Sequence, residues 1–210
     1  MNISVLPANS KDAIARAARL LGDGKPVAFP TDTVYGVGTH AFIAKAIERL
    51  YAVKERPRDK AIPVLLAAAA DLPLVAREIP PAAQRLADAF WPGALTLVLP
   101  RHLALPLVLT AGGDSVAVRV PDHSAVRALI VALNAPLAAT SANLSGQPSP
   151  VTAQEVTKQL DERLDLVLDG GPCPGGRPST VLDLTCDPPR LLRAGPVTVT
   201  ALRAILPDMV

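Results

Sequence analysis

The chain has 210 residues, of which 50% are hydrophobic and 3% are aromatic, and its formal net charge at pH 7 is +2. This length suits one large domain or two small ones with a buried core. The small net charge does not by itself indicate nucleic-acid binding, and no apolar run is long enough to span a membrane. The first residues lack the basic flank and apolar core of a signal peptide, so we expect a cytoplasmic protein with free thiols at Cys173 and Cys186.

Hydrophobic periodicity predicts strands that alternate with helices along the chain. The predicted strands are 27–29, 62–66, 95–99, 116–120, 136–139, 164–168, 180–184 and 190–193. The predicted helices are 10–21, 41–53, 72–77, 82–89, 124–133, 152–160 and 198–206, and Ser10 is positioned to cap the first. This alternation favours an α/β fold with a largely parallel or mixed sheet, although it does not determine the strand order. Because no repeat or long linker interrupts the pattern, we predict a single domain over residues 1–210.

Two polar segments, 29–38 and 138–146, each follow an apolar run that is typical of a buried strand. Both supply hydroxyl groups and glycines, and the second adds an amide, so a small ligand can approach the backbone closely. Ligands of open α/β sheets bind beyond the carboxyl ends of strands, so these segments predict a composite small-molecule site. Gly36 and Gly38 also match a loose dinucleotide-binding pattern. Six residues separate them from the preceding strand, however, and we expect these glycines to allow close packing of the next helix.

The basic segments have two interpretations each. Lys54 and Arg56 follow a predicted helix and suit an anion clamp, but a solvated charged turn fits the segment equally well. Arg119 lies inside an apolar strand, where its guanidinium needs an anionic or carbonyl partner. A buried ion pair would satisfy it, and a substrate carboxylate is the preferred interpretation. The three histidines have no spacing typical of a metal site.

Seven stretches in this order carry a resemblance to a known family. They are 29–36, Lys54-x-Arg56-Pro57, 91–96, 116–121, 140–146, 179–180 and Leu192-Arg193-x-Gly195. Together they resemble the YrdC/TsaC family of L-threonylcarbamoyladenylate synthases over about residues 10–205. The resemblance implies a twisted mixed β-sheet flanked by helices around an open, positively charged cavity. It also implies a nucleotidyltransferase that condenses L-threonine, bicarbonate or CO₂, and ATP to threonylcarbamoyl-AMP and pyrophosphate. That reaction is the first step in forming threonylcarbamoyladenosine next to the anticodon of tRNA.

The resemblance further implies roles for individual residues. Those implied to surround the reacting groups are Lys54, Arg56, Ser141 and Asn143. Those implied to bind ATP are Arg56, Lys60, Ser115, Ser141, Ser149 and Arg193. Those implied to bind threonine are Thr33, Arg119, the backbone at Ala139, and Ser179. Mg²⁺ is expected to enter with the ATP phosphates, and no protein side chain is expected to ligate it.

The resemblance also implies that the product passes to a tRNA threonylcarbamoyl-transferase complex, and it leaves direct contact with tRNA open. The alternative is a non-catalytic module of the same fold that binds double-stranded RNA or tRNA, which the scarcity of aromatic residues disfavours. Leu65 stands where some members carry a histidine, so we expect one polar contact to be lost. Longer relatives have a second domain, and in its place we expect the segment 170–178 to close over the product.

Overall fold

The computed structural model describes residues 3–210, in which ten strands form one sheet. The strands are β1 (Ser4–Pro7), β2 (Val27–Phe29), β3 (Gly36–His40), β4 (Val64–Leu65), β5 (Leu95–Pro100), β6 (Ser115–Arg119), β7 (Leu137–Ser141), β8 (Leu166–Asp169), β9 (Thr180–Asp183) and β10 (Arg190–Arg193). Their spatial order is β1-β8-β2-β3-β7-β4-β6-β5-β9-β10. Parallel pairs join β1 to β8, β8 to β2, β4 to β6 and β5 to β9, and the remaining neighbours are antiparallel. The predicted mixed α/β sheet is therefore confirmed.

The helices agree with the periodicity to within a few residues. They are α1 (Lys11–Gly22), α2 (Ala44–Lys54), α3 (Pro81–Phe90), α4 (Ser124–Leu133), α5 (Ala153–Leu160) and α6 (Val199–Arg203). Ser10 caps α1 as predicted, because its hydroxyl accepts a hydrogen bond from the backbone N–H of Ala13 at 3.3 Å. Thr152 and Thr198 cap α5 and α6 in the same way. The segment predicted as helix 72–77 is instead a 3₁₀ helix, Ala69–Leu74, which contains Pro73, and a second 3₁₀ helix spans Asp161–Arg163.

Alternate strand residues point to opposite faces of the sheet and build two apolar clusters. On one face, Phe29 and Leu168 pack with helices α1 and α4. On the other face, Ala28 and Val167 belong to the larger cluster, which includes apolar residues of α2, α3, α5 and α6. Helix α1 contacts β2, β3 and β8 and packs against α4. The two helices therefore cover only part of their face of the sheet.

Two strands were not predicted, and one of them contains the glycines that were expected to allow close packing of the next helix. The segment Gly36–His40 forms β3, and the following helix α2 contacts this strand. A Cβ on Gly36 would lie 2.8 Å from Cε2 of Phe29, and one on Gly38 would lie 2.9 Å from the carbonyl oxygen of Ala138. The glycines therefore allow neighbouring strand residues to pack over β3. Strand β1 was also missed; it lies at the edge of the sheet and ends in Pro7.

Two smaller expectations concern the cysteines and the membrane. Cys173 is buried and Cys186 is exposed, and both thiols are free, as expected. None of the helices within residues 3–210 has the length and apolar character needed to cross a membrane.

Candidate active site

The two polar segments singled out in the sequence are brought together at β3. Gly36 pairs with Phe29 of β2 on one side and with Ser141 of β7 on the other. Because β2 and β7 both run antiparallel to β3, their carboxyl ends lie next to each other. The segments that follow these strands are thereby brought to one place, as the sequence predicted.

A cavity of about 400 Å³ extends from these strand ends across the face of the sheet that α1 and α4 leave uncovered. Every second residue of several strands or their approaches lines it, as in the pairs Pro63 and Leu65, Ala117 and Arg119, and Ser179 and Val181. Its polar lining residues are Thr31, Thr33, Arg56, Thr96, Arg119, Thr140, Ser141, Ser149, Ser179 and Arg193. The charged groups in this lining are all guanidinium groups, which suits an anionic ligand.

Arg119 is held in the cavity wall by protein groups on three sides. Its Nε donates to the carbonyl of Gly93 at 2.8 Å, its Nη1 donates to Oγ1 of Thr33 at 2.9 Å, and its Nη2 forms an ion pair with Asp32. Burial lowers the pKa of Arg119, and the charge of Asp32 opposes that shift. The expected anionic or carbonyl partner is therefore found twice, in Asp32 and in Gly93. The buried ion pair exists, and the same guanidinium still lines the cavity.

A second arginine of the cavity is held in a polar cluster where β9 and β10 meet. Arg193, at the end of β10, donates from Nε to the carbonyl of Ser179 at 2.9 Å and from Nη2 to its hydroxyl at 3.1 Å. The hydroxyl of Ser179 also lies 2.8 Å from that of Thr96. A Cβ on Gly195 would lie 2.4 Å from the backbone nitrogen of Thr180, so only glycine fits beside this cluster.

Arg56 is fixed by the loop that follows α2. Its Nε donates to the carbonyl of Lys60 at 3.0 Å and its Nη2 donates to the carbonyl of Ala61 at 2.8 Å. Burial lowers the pKa of Arg56. Partial desolvation strengthens its attraction to an anion in the cavity. By contrast, Arg58 is exposed and lies 3.9 Å from Glu48. Arg56 therefore lines the cavity, where an anion clamp would need it, whereas Arg58 belongs to a solvated turn.

Beneath the cavity floor, Lys54 and Asn143 hold Ser141 from two directions. Nζ of Lys54, which is 1% exposed, donates to the carbonyl of Ser141, and the hydroxyl of Ser141 donates to Oδ1 of Asn143. The amide nitrogen of Asn143 donates to the carbonyls of Leu144 at 2.7 Å and Gln147 at 2.9 Å. These contacts orient the Ser141 hydroxyl and shape the loop after β7.

The structure brings most of the predicted site residues into one cavity. Those that line it are Thr33, Arg56, Arg119, Ala139, Ser141, Ser149, Ser179 and Arg193. Lys54 and Asn143 reach it only through Ser141, and exposed Lys60 contributes its backbone carbonyl to Arg56. Ser115 lies outside this lining, on the same side of β6 as Ala117 and Arg119 but at the opposite end of the strand. The roles assigned to these residues remain predictions.

The remaining predictions concern the backbone of Ala139, the side chain of Leu65 and the segment 170–178. The backbone N–H of Ala139 donates to the carbonyl of Pro63 at 2.9 Å, and Leu65 lines the cavity where a histidine was expected in relatives. The segment 170–178 is anchored by the backbone N–H of buried Cys173, which donates to the carbonyl of Val151 at 2.8 Å. It also lies against the Thr31–Thr33 turn, since a Cβ on Gly175 would lie 2.5 Å from the carbonyl oxygen of Asp32.

Reasoning from the sequence assigned no role to Asp32, Thr31 or Thr96. Thr31 fixes the turn after β2, because its hydroxyl donates to the carbonyl of Val34 at 2.7 Å and accepts from the backbone N–H of Thr33 at 3.1 Å. Asp32 was visible as a lone carboxylate between a buried strand and a glycine. Its partner is 87 positions away in the chain, however, and no local pattern connects the two.

The buried ammonium of Lys54 should make stability depend on pH. Burial, and secondarily the charge of Arg56, lowers the pKa of Lys54 from 10.5 to about 7. Between these two pKa values the unfolded chain retains a proton that the folded protein has released, so raising the pH should stabilise the fold. Each pKa unit between the two states corresponds to about 1.4 kcal/mol.

Lys54→Met keeps the side-chain length without the titrating group and should lose this pH dependence. Urea unfolding at about pH 6 and about pH 9 measures the free energy of unfolding of both proteins. The wild type should gain on the order of a few kcal/mol relative to the variant as the pH rises. Parallel pH profiles for the two proteins would contradict this prediction.

The fold and the cavity define a class of α/β protein whose arginine-lined site suits an anionic small molecule. The family model Sua5/YciO/YrdC, described as telomere recombination, matches residues 19–195. The chain belongs to this family.

Curated relatives and solved structures agree with that assignment. The threonylcarbamoyl-AMP synthase of Pyrococcus abyssi is 42% identical over 193 residues, which are 92% of this chain and 57% of that protein. The Bacillus subtilis protein of the same name is 45% identical over 92% of this chain and 56% of its own length. A putative threonylcarbamoyl-AMP synthase of Mycobacterium leprae is 39% identical over 92% of this chain and 87% of its own length. The chain thus spans a little over half of the first two relatives.

The crystal structure of Pyrococcus abyssi Sua5 complexed with L-threonine matches with a TM-score of 0.94 at 40% identity, covering 99% of this chain and 62% of that one. Escherichia coli YciO matches with a TM-score of 0.86 at 26% identity, covering 95% of this chain and 99% of its own.

Proposed function

We propose that this chain is an L-threonylcarbamoyladenylate synthase, a nucleotidyltransferase that makes threonylcarbamoyl-AMP and pyrophosphate from L-threonine, bicarbonate or CO₂, and ATP. The observation that carries the proposal is the convergence of Arg56, Arg119 and Arg193, from distant parts of the chain, on one hydroxyl-lined cavity. A triphosphate and an amino-acid carboxylate are the anions that such a cavity would hold.

Two groups of cavity residues suit the two substrates, and we call them the threonine arm and the ATP arm. In the proposed complex, Arg119 and Thr33 bind the threonine carboxylate, and Ser179 lies alongside. Arg56, Ser141 and Ser149 face the phosphates of ATP in that complex, and Arg193, also assigned to ATP, lies beside Ser179. Lys54 and Asn143 orient Ser141 from below. Lys60 and Ser115, which the resemblance also assigns to ATP, are outside the cavity lining.

The proposed chemistry needs no protein nucleophile. The threonine nitrogen either attacks carbon dioxide and loses a proton to solvent, or attacks bicarbonate with loss of water, and in both cases it forms a carbamate. A carbamate oxygen then attacks the α-phosphorus of ATP, and the bond to the departing pyrophosphate breaks. Negative charge accumulates on the α-phosphoryl oxygens and on pyrophosphate, where fixed cationic groups such as Arg56 stabilise it.

We propose that Mg²⁺ enters with ATP, bound to its phosphates. Magnesium prefers carboxylate and water ligands, whereas the cavity lining offers guanidinium and hydroxyl groups. Within residues 3–210, no group of three or more His, Cys, Asp or Glu side chains is arranged to hold a metal ion. When bound, the ion would neutralise part of the phosphate charge, and the arginines would balance the rest.

The names of the relatives support the reaction, and the Pyrococcus abyssi Sua5 complex shows L-threonine as a ligand of that protein. The alternative is a non-catalytic module of this fold that binds double-stranded RNA or tRNA. The net charge of +2 and the 3% of aromatic residues favour the enzyme, because RNA binding relies on basic surfaces and stacking side chains. We further propose that the protein acts in the cytoplasm and passes its product to a tRNA threonylcarbamoyl-transferase complex.

The test incubates the pure protein with Mg²⁺, ATP, bicarbonate and each amino acid in turn, while pyrophosphate and AMP-linked products are measured. Pyrophosphate release that requires both threonine and bicarbonate is the expected result. Serine, which lacks the threonine methyl group, is the matched substrate control. Tight tRNA binding that weakens steeply with salt, without threonine-dependent pyrophosphate release, would favour the RNA-binding alternative.

A further inference from the structure

Asp32 is a carboxylate that does not line the cavity but contacts a guanidinium that does. Its side chain is 14% exposed, against 7% for its partner Arg119. With bonds to Asp32, Thr33 and Gly93, Arg119 uses three of its five N–H groups. The other two are free to meet a ligand, so Asp32 helps to decide which edge of the guanidinium faces the cavity.

Asp32 is itself held rigidly. Its Oδ1 also accepts a hydrogen bond from the backbone N–H of Asp122 at 3.2 Å, just before helix α4. On the backbone side, Gly175 packs so closely against the Asp32 carbonyl that any larger residue would collide with it. The carboxylate thus bonds both Arg119 and the backbone of Asp122, and the backbone of Asp32 packs against Gly175. Such a group is well placed to orient another side chain, because its own movement is restricted.

The charge of Asp32 has a second effect on Arg119. The nearby positive charge of Arg193 disfavours the charged form of Arg119, and Asp32 opposes that repulsion. Like charges that border one cavity repel each other, and the Asp32 carboxylate offsets part of that repulsion at Arg119. Asp32 therefore both balances and orients Arg119.

We propose that Asp32 is a positioning residue for carboxylate recognition: it aligns the Arg119 guanidinium so that the two free N–H groups point at the carboxylate of the amino-acid substrate. The inference rests on the proposed function, which supplies the amino acid. In this role Asp32 determines selectivity for a carboxylate over a neutral group at the same place, and it leaves the ATP arm unaffected.

The test compares the affinity for L-threonine with that for L-threoninamide, in which a neutral amide replaces the carboxylate. Calorimetry on the wild type should give a dissociation constant for the amide about tenfold or more above that for threonine. Asp32→Asn keeps an oxygen acceptor but removes the charge, and should bring the ratio of the two constants close to one. A purely structural role would weaken both ligands equally and leave the ratio unchanged.

Asp122→Asn is the matched control, because it removes a neighbouring exposed carboxylate whose side chain has no bond to Arg119. It should keep the wild-type ratio, and both variants should bind a non-hydrolysable ATP analogue within about twofold of the wild type. If Asp32→Asn does not fold, Asp32→Glu keeps the charge but shifts it by one methylene, and it should also lower the ratio.

An unchanged or increased ratio in the folded Asp32 variant would overturn the inference and leave the proposed function intact. A wild type that does not distinguish threonine from its amide would overturn both the inference and the threonine site of the proposed function.

Discussion

Replacing Arg56 with alanine should lower threonine-dependent pyrophosphate release by about a hundredfold or more, as removal of a transition-state charge stabiliser does elsewhere. Arg56 lines the cavity, and two backbone carbonyls hold it in place. It is therefore oriented before the substrate binds. Steady-state kinetics with saturating ATP and threonine measure the effect on turnover.

Arg58→Ala is the matched control. Arg58 carries the same charge as Arg56 and lies two positions later in the chain, but its side chain is exposed and lies outside the cavity. This substitution should leave turnover within about twofold, as surface substitutions usually have small effects. Equal losses in the two variants would show that the general charge of the loop matters, and a fully active Arg56→Ala would remove Arg56 from the mechanism.

Gly195→Ala should destabilise the protein and weaken threonine binding. The new Cβ would lie 2.4 Å from the nitrogen of Thr180, 2.6 Å from the carbonyl carbon of Ser179 and 2.7 Å from the oxygen of Pro178. All three are backbone atoms, so the start of β9 must shift and take the hydroxyl of Ser179 with it. Overpacking of this kind costs about 1–3 kcal/mol, and the melting temperature should fall by roughly 2–4 °C for each kcal/mol.

Gly22→Ala at the end of α1 is the control, because a Cβ there meets no atom within 4 Å. It should leave both the melting temperature and the affinity for threonine close to wild type. Normal threonine affinity in a destabilised Gly195→Ala protein would separate the packing role of this glycine from any role in the site.

The helices and the long buried strands could be predicted because their signals are local. The Ser10 cap, the apolar stripe of α1 and the run from Leu95 all depend on neighbouring residues in the sequence. Strand β3 could not be predicted in this way, because two of its five residues are glycines with low strand propensity. Its conformation is stabilised by pairing with β2 and β7, and β7 lies about a hundred positions further along the chain.

In the site, too, some features could be predicted from the sequence and others could not. The site residues that the resemblance implies were named from the sequence, and eight of them line the cavity. Their division between lining and supporting positions could not be predicted. Lys54 was expected among the groups around the reacting phosphate, but it is buried, donates to the Ser141 carbonyl and lies outside the cavity lining.

The amino-acid sequence by itself determined the fold class, the capped helices, the need of Arg119 for a partner and the resemblance that names the chemistry. Each of these follows from residue type and from spacings within a few turns or a short motif. Only the tertiary structure decided the strand order, the pairing of Asp32 with Arg119 and the location of the cavity on the uncovered part of one sheet face. These features depend on contacts between residues far apart in the chain, and such contacts leave no periodic trace in a single sequence.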